Sequence, residues 1–323
     1  MKKLYYSTFV PGMEEAVGRL LCHEGGVTTE RVLDGGVLYR SVREPDFPYM
    51  HHTFLVLTQL QGIRTLDDAV KRLMTQGEWL DRIPYETLAG KKFRIVTMND
   101  GQLEGVNMRY LNMLEKVIME HTGMRTLREK PDVELWIDRH SQGGTLFLWR
   151  IGARRGVKAA APGLLRADLC AILASLCRVG GKNAVNLAAH DAAIPYALFA
   201  AGAKNVSAVC DDARGAEAVR RVGRLRVVES VQDLDDQSAQ AVIAHVPEKA
   251  PGGTPEKYLR ELLGESARIV TREGVIMLVA LRGQADNAIE RAEGVQVLSR
   301  YDILISGKKT VVWILRAETA DEG

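Results

Sequence analysis

Residues Asn186 to Tyr196 read NLAAHDAAIPY and place a histidine beside a carboxylate directly after a short apolar run. In a doubly wound α/β domain this is the turn from the first strand into its helix, where a nucleotide-like ligand approaches the backbone closely. Glycine is preferred there because a Cβ would push the ligand away from the backbone N–H groups. The contact positions carry His190, Asp191 and Ala192 instead. The sequence therefore predicts a doubly wound α/β fold whose ligand-binding loop lacks the usual glycines.

His245 is a second residue that could do chemistry, because it follows the apolar stretch from Ala241 to Ala244. Histidine titrates near neutral pH, so His245 could accept a hydrogen bond or act as a base. A structural histidine is the more frequent case at a strand end. The pair His190-Asp191 is a candidate acid–base dyad, but adjacent residues on a turn usually point apart.

The elements that must position these residues alternate regularly from Leu164 onward. Apolar strands are separated by helical stretches at a spacing that predicts a parallel sheet with right-handed crossovers. At the end, Gly294 to Ile305 and Thr310 to Arg316 form a hairpin, which places one antiparallel strand in the sheet. This ending argues against a dehydrogenase domain.

The first half of the chain has shorter, mixed elements. Strands are predicted at Lys3 to Val10 and Phe54 to Ile63, and helices at Met13 to His23 and Leu66 to Thr75. This order suggests an α+β layer with helices on one face of an antiparallel sheet. A second such unit follows, with a helix over Val106 to His121 that is closed by Gly123.

Composition restricts the class of protein. The 323 residues suffice for two domains or more, and 46% hydrophobic with 26% charged residues is typical of a soluble globular protein. No apolar run is long enough for a membrane span, so a cytoplasmic location is the default expectation. The four cysteines lack a Cys-x-x-Cys pair, so neither a zinc site nor a disulfide framework is indicated.

The net charge is only +2, but the stretch from Arg139 to Ala167 contains basic residues and no acid. Its basic residues are Arg139, Arg150, Arg154, Arg155, Lys158 and Arg166. A local basic strip is the usual electrostatic footprint of phosphate binding, so five of these residues, all but Arg166, are candidate RNA ligands. A solvated strand edge and linker is the alternative interpretation.

The layout resembles the THUMP-containing RNA methyltransferases over almost the whole chain. Phe9 to Glu15 is similar to the Pro-Gly-Leu-Glu opening of those enzymes, and Leu135 to Asp138 is similar to a strand near the end of the THUMP domain. Ala193-Ile194-Pro195 resembles the tail of their cofactor loop. The resemblance implies a ferredoxin-like unit over 1–75, a THUMP domain over 76–158 and a Rossmann-like methyltransferase domain over 164–318. The predicted fold class is therefore α/β, with α+β domains preceding a parallel sheet that has one antiparallel strand.

The same resemblance implies S-adenosylmethionine as cofactor and assigns positions around it. Asp211 matches the acid that accepts hydrogen bonds from both ribose hydroxyls. Glu229 or Ser230 falls where the resemblance expects the acid that contacts the adenine amine, with Asp233 a little further on. Where the family has an acid and a Gly-x-Gly pair, this chain has Asn186, His190 and Ala192, and Asp191 stands among them. The motif that should read Asn-Pro-Pro-Tyr or Asp-Pro-Pro-Tyr is His245-Val246-Pro247-Glu248 here.

Three functions from different classes remain open. The first is an RNA-binding protein whose methyltransferase-like domain is catalytically silent, and it follows most simply from two altered motifs. The second is an active S-adenosylmethionine-dependent RNA methyltransferase with an atypical site. The third is a scaffold whose cleft binds another protein. The resemblance implies tRNA or rRNA as the nucleic-acid partner and does not choose between them.

Overall fold

The computed structural model describes residues 2–83, 85–142, 144–153, 164–210, 212–223, 225–246, 255–292 and 294–318. The elements of the first half are, in chain order, β1 (Lys3–Thr8), α1 (Glu14–Cys22), β2 (Val27–Leu33), β3 (Gly36–Ser41), β4 (His52–Leu60), α2 (Leu66–Thr75), α3 (Tyr85–Leu88), β5 (Lys92–Asn99), β6 (Gln102–Leu103), α4 (Met108–Thr122), β7 (Arg125–Thr126), β8 (Val133–His140) and β9 (Gly144–Ala153). The elements of the second half are α5 (Ala167–Leu176), β10 (Asn183–Leu187), α6 (Ala193–Ala200), β11 (Asn205–Val209), α7 (Ala213–Arg220), β12 (Arg226–Val228), β13 (Ala239–His245), α8 (Pro255–Ile269), β14 (Val270–Leu281), α9 (Arg282–Glu290), β15 (Val295–Ile305) and β16 (Lys308–Ala317). Short 3₁₀ helices lie at Gly77–Arg82 and Val231–Asp233.

The chain divides into two compact units that interleave along the sequence. The first unit comprises Met1–Thr8, Glu24–Asp46 and Met50–Arg154, and the second comprises Phe9–His23, Phe47–Tyr49 and Arg155–Gly323. Helix α1 therefore belongs to the second unit, where it packs against α5. The division into three domains at 1–75, 76–158 and 164–318 stays a prediction.

One nine-stranded sheet, counted over the described residues, forms the first unit. Its order is β2-β3-β1-β4-β9-β8-β5-β6, and β7 also pairs with β5. The antiparallel pairing of β4 with β9 joins the two segments that the sequence predicts as separate domains. Buried residues of α2 and α4 pack on one face, and the apolar cluster on the opposite side is built from strand residues.

Helix α2 begins and ends at the predicted residues, whereas α4 spans Met108–Thr122 and not the predicted Val106 to His121. The Thr65 hydroxyl accepts a hydrogen bond from the Asp68 backbone nitrogen and caps α2. The Asn107 side chain caps α4 in the same way. Gly123 ends α4 in the left-handed conformation, with φ of 69°, which a glycine adopts without a Cβ penalty.

The second unit contains a seven-stranded sheet in its described part. Its order is β12-β11-β10-β13-β14-β16-β15. The strands from β12 to β14 are parallel, and β16 runs antiparallel between β14 and β15. The predicted parallel sheet that closes in a hairpin is confirmed. Helix α9 and strand β2 were not predicted from the sequence.

Gly12 holds the segment before α1 against the last hairpin of the second unit. Its φ is +91°, and a Cβ there would lie 2.1 Å from the carbonyl oxygen of Asp302 in β15. Only glycine fits both the backbone conformation and the close approach. Separately, none of the helices in the described part of the chain is both long and apolar enough to cross a membrane.

Candidate functional site

The candidate cleft lies at the carboxyl edge of the seven-stranded sheet. Strands β10 and β13 are direct parallel neighbours there, with Leu187 opposite Ala244. The loop from Ala188 to Ala192 leaves β10 at this edge and leads into α6. In open α/β sheets, ligands bind outside the carboxyl ends of the strands where the strand order reverses, which is beside β10 in this sheet.

The loop keeps a backbone conformation that suits glycine although it contains none. Ala188 has a φ of +52° and is buried. A left-handed conformation costs a non-glycine residue about 1 kcal/mol, so the surrounding structure must hold it in place. One contact that does so is the hydrogen bond from the Ala189 nitrogen to the Val209 carbonyl oxygen, at 2.8 Å.

Gly215, in the first turn of α7, lies against this loop. The Asp212 side chain accepts a hydrogen bond from the Gly215 nitrogen and caps α7. A Cβ at Gly215 would lie 2.5 Å from the Ala189 carbonyl oxygen and 3.4 Å from the His190 carbonyl carbon. Helix α7 therefore packs directly against the loop backbone at the Ala189 carbonyl oxygen. Sequence reasoning missed Gly215, and the signal that could have found it is a glycine in the first turn of a helix.

His190 and His245 meet across the cleft. Their ring centroids are 6.2 Å apart and the ring planes are nearly perpendicular, at 84°. Nε2 of His190 is buried and has no hydrogen-bond partner among the described residues. The two positions where the family resemblance expects a glycine and the substrate-aligning residue therefore carry side chains in contact with each other.

Burial of His245, with a smaller contribution from His190, lowers its pKa to about 4. The side chain is only 8% exposed. Its imidazole is neutral at pH 7 and a weak base, far from the pKa that favours proton transfer at that pH. Such burial is typical of a structural histidine, and a role of His245 toward a substrate stays a prediction.

Asp191 and Ser230, two predicted cofactor ligands, make local hydrogen bonds. The Asp191 side chain accepts from the Ala193 nitrogen at 2.9 Å, in the first turn of α6. Ser230 forms a capping box with Asp233 at the 3₁₀ helix Val231–Asp233. Their roles toward a cofactor stay predictions. Asp211 and Pro247 lie outside the described residues.

Asn186 joins the two strands that flank the cleft. It is 1% exposed, and its Nδ2 donates to the carbonyl oxygens of Leu187 at 3.0 Å and Ile243 at 2.9 Å. A carboxylate is only an acceptor, so the acidic residue that the resemblance expects at this position could not make either bond. The Asn186 amide therefore links β10 to β13 within the sheet.

Two predicted RNA ligands are described, and both have protein partners. Nη1 of Arg139 donates to Oδ1 of Asn99 at 2.6 Å. Arg150 forms an ion pair with Glu134, which Arg94 also contacts. Burial raises the pKa of Glu134, but the two arginines outweigh it and lower the pKa below its usual value. Arg154, Arg155 and Lys158 lie outside the described residues, so RNA binding by this strip stays a prediction.

No group of three or more His, Cys, Asp or Glu side chains suited to a metal ion occurs in the described parts of the chain. Val246, next to His245, is buried, and its nitrogen donates to the Val279 carbonyl oxygen at 2.8 Å. The described residues of the cleft thus offer apolar walls, the neutral imidazole of His245 and the ring of His190.

The strand order, the antiparallel β16 and the terminal hairpin define a Rossmann-like methyltransferase fold, and comparison with solved structures confirms this predicted fold class. The chain is similar to TrmN from Thermus thermophilus, with a TM-score of 0.78, 16% identity and coverage of 98% of this chain and 99% of that chain. It is also similar to a possible methylase from Clostridium difficile 630, with a TM-score of 0.71, 14% identity and coverage of 100% of both chains. No protein-family model and no curated protein matches the sequence. At these identities the likeness shows the fold alone.

Proposed function

We propose that this chain is an RNA-binding protein whose methyltransferase-like domain does not transfer methyl groups. The likeness to a possible methylase over the full chain supports a methyltransferase-like domain. The RNA-binding half rests on the sequence resemblance, which implies structured RNA, tRNA or rRNA, as the partner. The contact between His190 and His245 is the observation that carries the second half.

A methyl donor such as S-adenosylmethionine would have to reach between the β10 loop and the end of β13. The donor's sulfonium group is already a strong electrophile, so the protein contributes mainly alignment and exclusion of water. In this chain the rings of His190 and His245, at the positions that the resemblance assigns to the cofactor loop and the substrate-aligning motif, contact each other, which supports the proposal. The residues described at the cleft do not fit this cofactor.

The rest of the cleft supports the same conclusion. Ala188 takes the left-handed conformation that would suit a glycine, and Gly215 of α7 lies against the loop backbone. Asn186 uses its amide to bind the two strands together. The Gly215 and Asn186 contacts join elements of the domain to one another, and neither leaves a group aimed at a ligand.

Calorimetric titration with S-adenosylmethionine tests the loss of cofactor binding. We expect no heat of binding at millimolar cofactor, because a Cβ and an imidazole occupy the approach to the loop. Binding at micromolar cofactor would contradict the proposal and would favour the active methyltransferase. A methyl-transfer assay with tRNA and rRNA on the same preparation is expected to give no product.

RNA binding is tested by its salt dependence. The double variant Arg154→Ala with Arg155→Ala is expected to weaken binding of a tRNA about tenfold and to reduce the salt slope by about 2, since two phosphate contacts are lost. The matched control is Arg220→Ala with Arg221→Ala, which removes an equally charged adjacent pair from the end of α7. Equal loss in both variants would contradict binding at the basic strip, and no RNA binding by the unaltered chain would favour the protein-binding scaffold.

A further inference from the structure

The middle of β5, in the first unit, has an open edge. One side of β5 pairs with β8 over most of its length. On the other side, β6 pairs only with the last two residues of β5, and β7 pairs only with the first two. Within the described residues, Arg94–Thr97 has no partner strand on that side.

The backbone groups at this edge can be assigned from the bonds at its two ends. The Phe93 carbonyl oxygen accepts from Leu127, and the Thr97 carbonyl oxygen accepts from Glu104. Alternate residues of a strand direct their N–H and C=O groups to the same side. Ile95, midway between them, therefore presents both groups to the open edge, as an added strand requires.

A groove of about 670 Å³ lies along this edge. Half-buried or exposed apolar side chains line it: Ile95, Val96, Met98, Leu103, Leu111 and Leu127. Leu103, at the β6 end, is 78% exposed. The backbone of an added extended chain would hydrogen-bond to the N–H and C=O groups of Ile95. Apolar side chains at its alternate positions would cover the apolar lining of the groove.

The charges that line the groove favour a peptide over a polyanion. Two arginines, Arg94 and Arg128, and two glutamates, Glu104 and Glu115, line the groove, so the lining carries no net charge. Arg94 is also paired with Glu134. Nη1 of Arg94 donates to the Arg128 carbonyl oxygen, which places both arginines at the β7 end, while Glu104 lies at the β6 end. An RNA backbone would need an excess of cations along its path. A peptide with an acidic residue at one end and a basic residue at the other complements this arrangement.

We propose that this groove binds an extended peptide of a partner protein, which adds a strand to β5 between β6 and β7. The peptide carries apolar side chains at alternate positions, a carboxylate near Arg128 and a cation near Glu104. The site lies wholly within the first unit and is independent of methyl transfer.

Two blocked heptapeptides test the proposal: Lys-Val-Thr-Val-Thr-Val-Glu and the same sequence reversed, which covers both strand directions. Each is titrated into the isotope-labelled full chain and followed by nuclear magnetic resonance. One of them is expected to give saturable shifts at the amides of Phe93 to Thr97 and to slow hydrogen exchange at Ile95, because an added strand accepts its N–H.

Leu103→Lys is expected to weaken the bound peptide about tenfold, because it removes apolar contact at an exposed position without disturbing the core. Arg128→Glu should weaken it about fivefold through the lost charge pair. Leu304→Lys, at another exposed leucine, 64% exposed and in the second unit, is the control and should have no effect. Three outcomes overturn the proposal: no saturation by either peptide at millimolar concentration, binding that ignores Leu103→Lys, or displacement of the peptide by single-stranded oligouridine, which would make the groove an RNA site.

Discussion

Acidification from pH 7 to pH 4 is expected to lower the free energy of unfolding by about 3 kcal/mol through His245 alone. Burial and the neighbouring His190 lower its pKa from 6.5 to about 4 in the folded protein. Between these two values the unfolded chain binds a proton that the folded chain does not. The stabilisation is therefore complete above pH 6.5 and is lost as the pH falls toward 4.

The measurement is a series of urea denaturations at several pH values, compared with His245→Asn. Acidic groups elsewhere also respond to pH, but they respond in both proteins and cancel in the difference. His245→Leu serves as a second variant, because it retains an apolar fit if the asparagine disturbs the strand end. A wild-type slope equal to that of both variants would mean that His245 titrates normally and that the histidine contact does not exclude water.

Gly215→Ala is expected to destabilise the second unit by about 2 kcal/mol. Its Cβ would lie 2.5 Å from the Ala189 carbonyl oxygen, which is backbone and cannot rotate away. Alanine is the better helix former by about 1 kcal/mol, so the clash must first overcome that gain. Either α7 or the loop after β10 has to shift, and the shift acts on the loop that carries His190.

Gly264→Ala provides the matched control for this prediction. Gly264 is an exposed residue of α8, and a Cβ there would meet nothing within 4 Å. The same substitution should therefore stabilise the protein by about 1 kcal/mol. Urea midpoints that move in opposite directions for the two variants support the packing of α7 against the loop. A stabilising Gly215→Ala would contradict it.

Much of the fold was predictable because its signals are local. Helix α2 begins and ends at the predicted residues, since Thr65 caps it and its apolar residues recur at helical spacing. The terminal hairpin was predicted from two apolar runs around Ser306-Gly307. Strand β2 was missed because most of its residues are exposed and polar, which removes the alternating pattern. Helix α9 was missed because it is short and has few apolar residues.

The position of the candidate site at one edge of the sheet was predictable from the sequence, but the contacts between its side chains were not. The sequence shows that His190 and His245 follow apolar strands, which puts both at one edge of a parallel sheet. Whether their rings meet depends on β10 and β13 being neighbours, and no local pattern encodes strand order. The hydrogen bonds of Asn186 could not be predicted for the same reason, since one of their acceptors lies on β13.

The amino-acid sequence alone determined the alternation of strands and helices, the antiparallel ending and the missing loop glycines, because these depend on residues close together in the chain. Only the tertiary structure decided that α1 packs in the second unit, that Gly215 contacts the Ala189 carbonyl and that two histidines meet in the cleft. Each of these contacts joins residues from separate elements. Such contacts form only when the whole sheet is assembled, since burial of apolar surface and strand pairing together select which elements become neighbours.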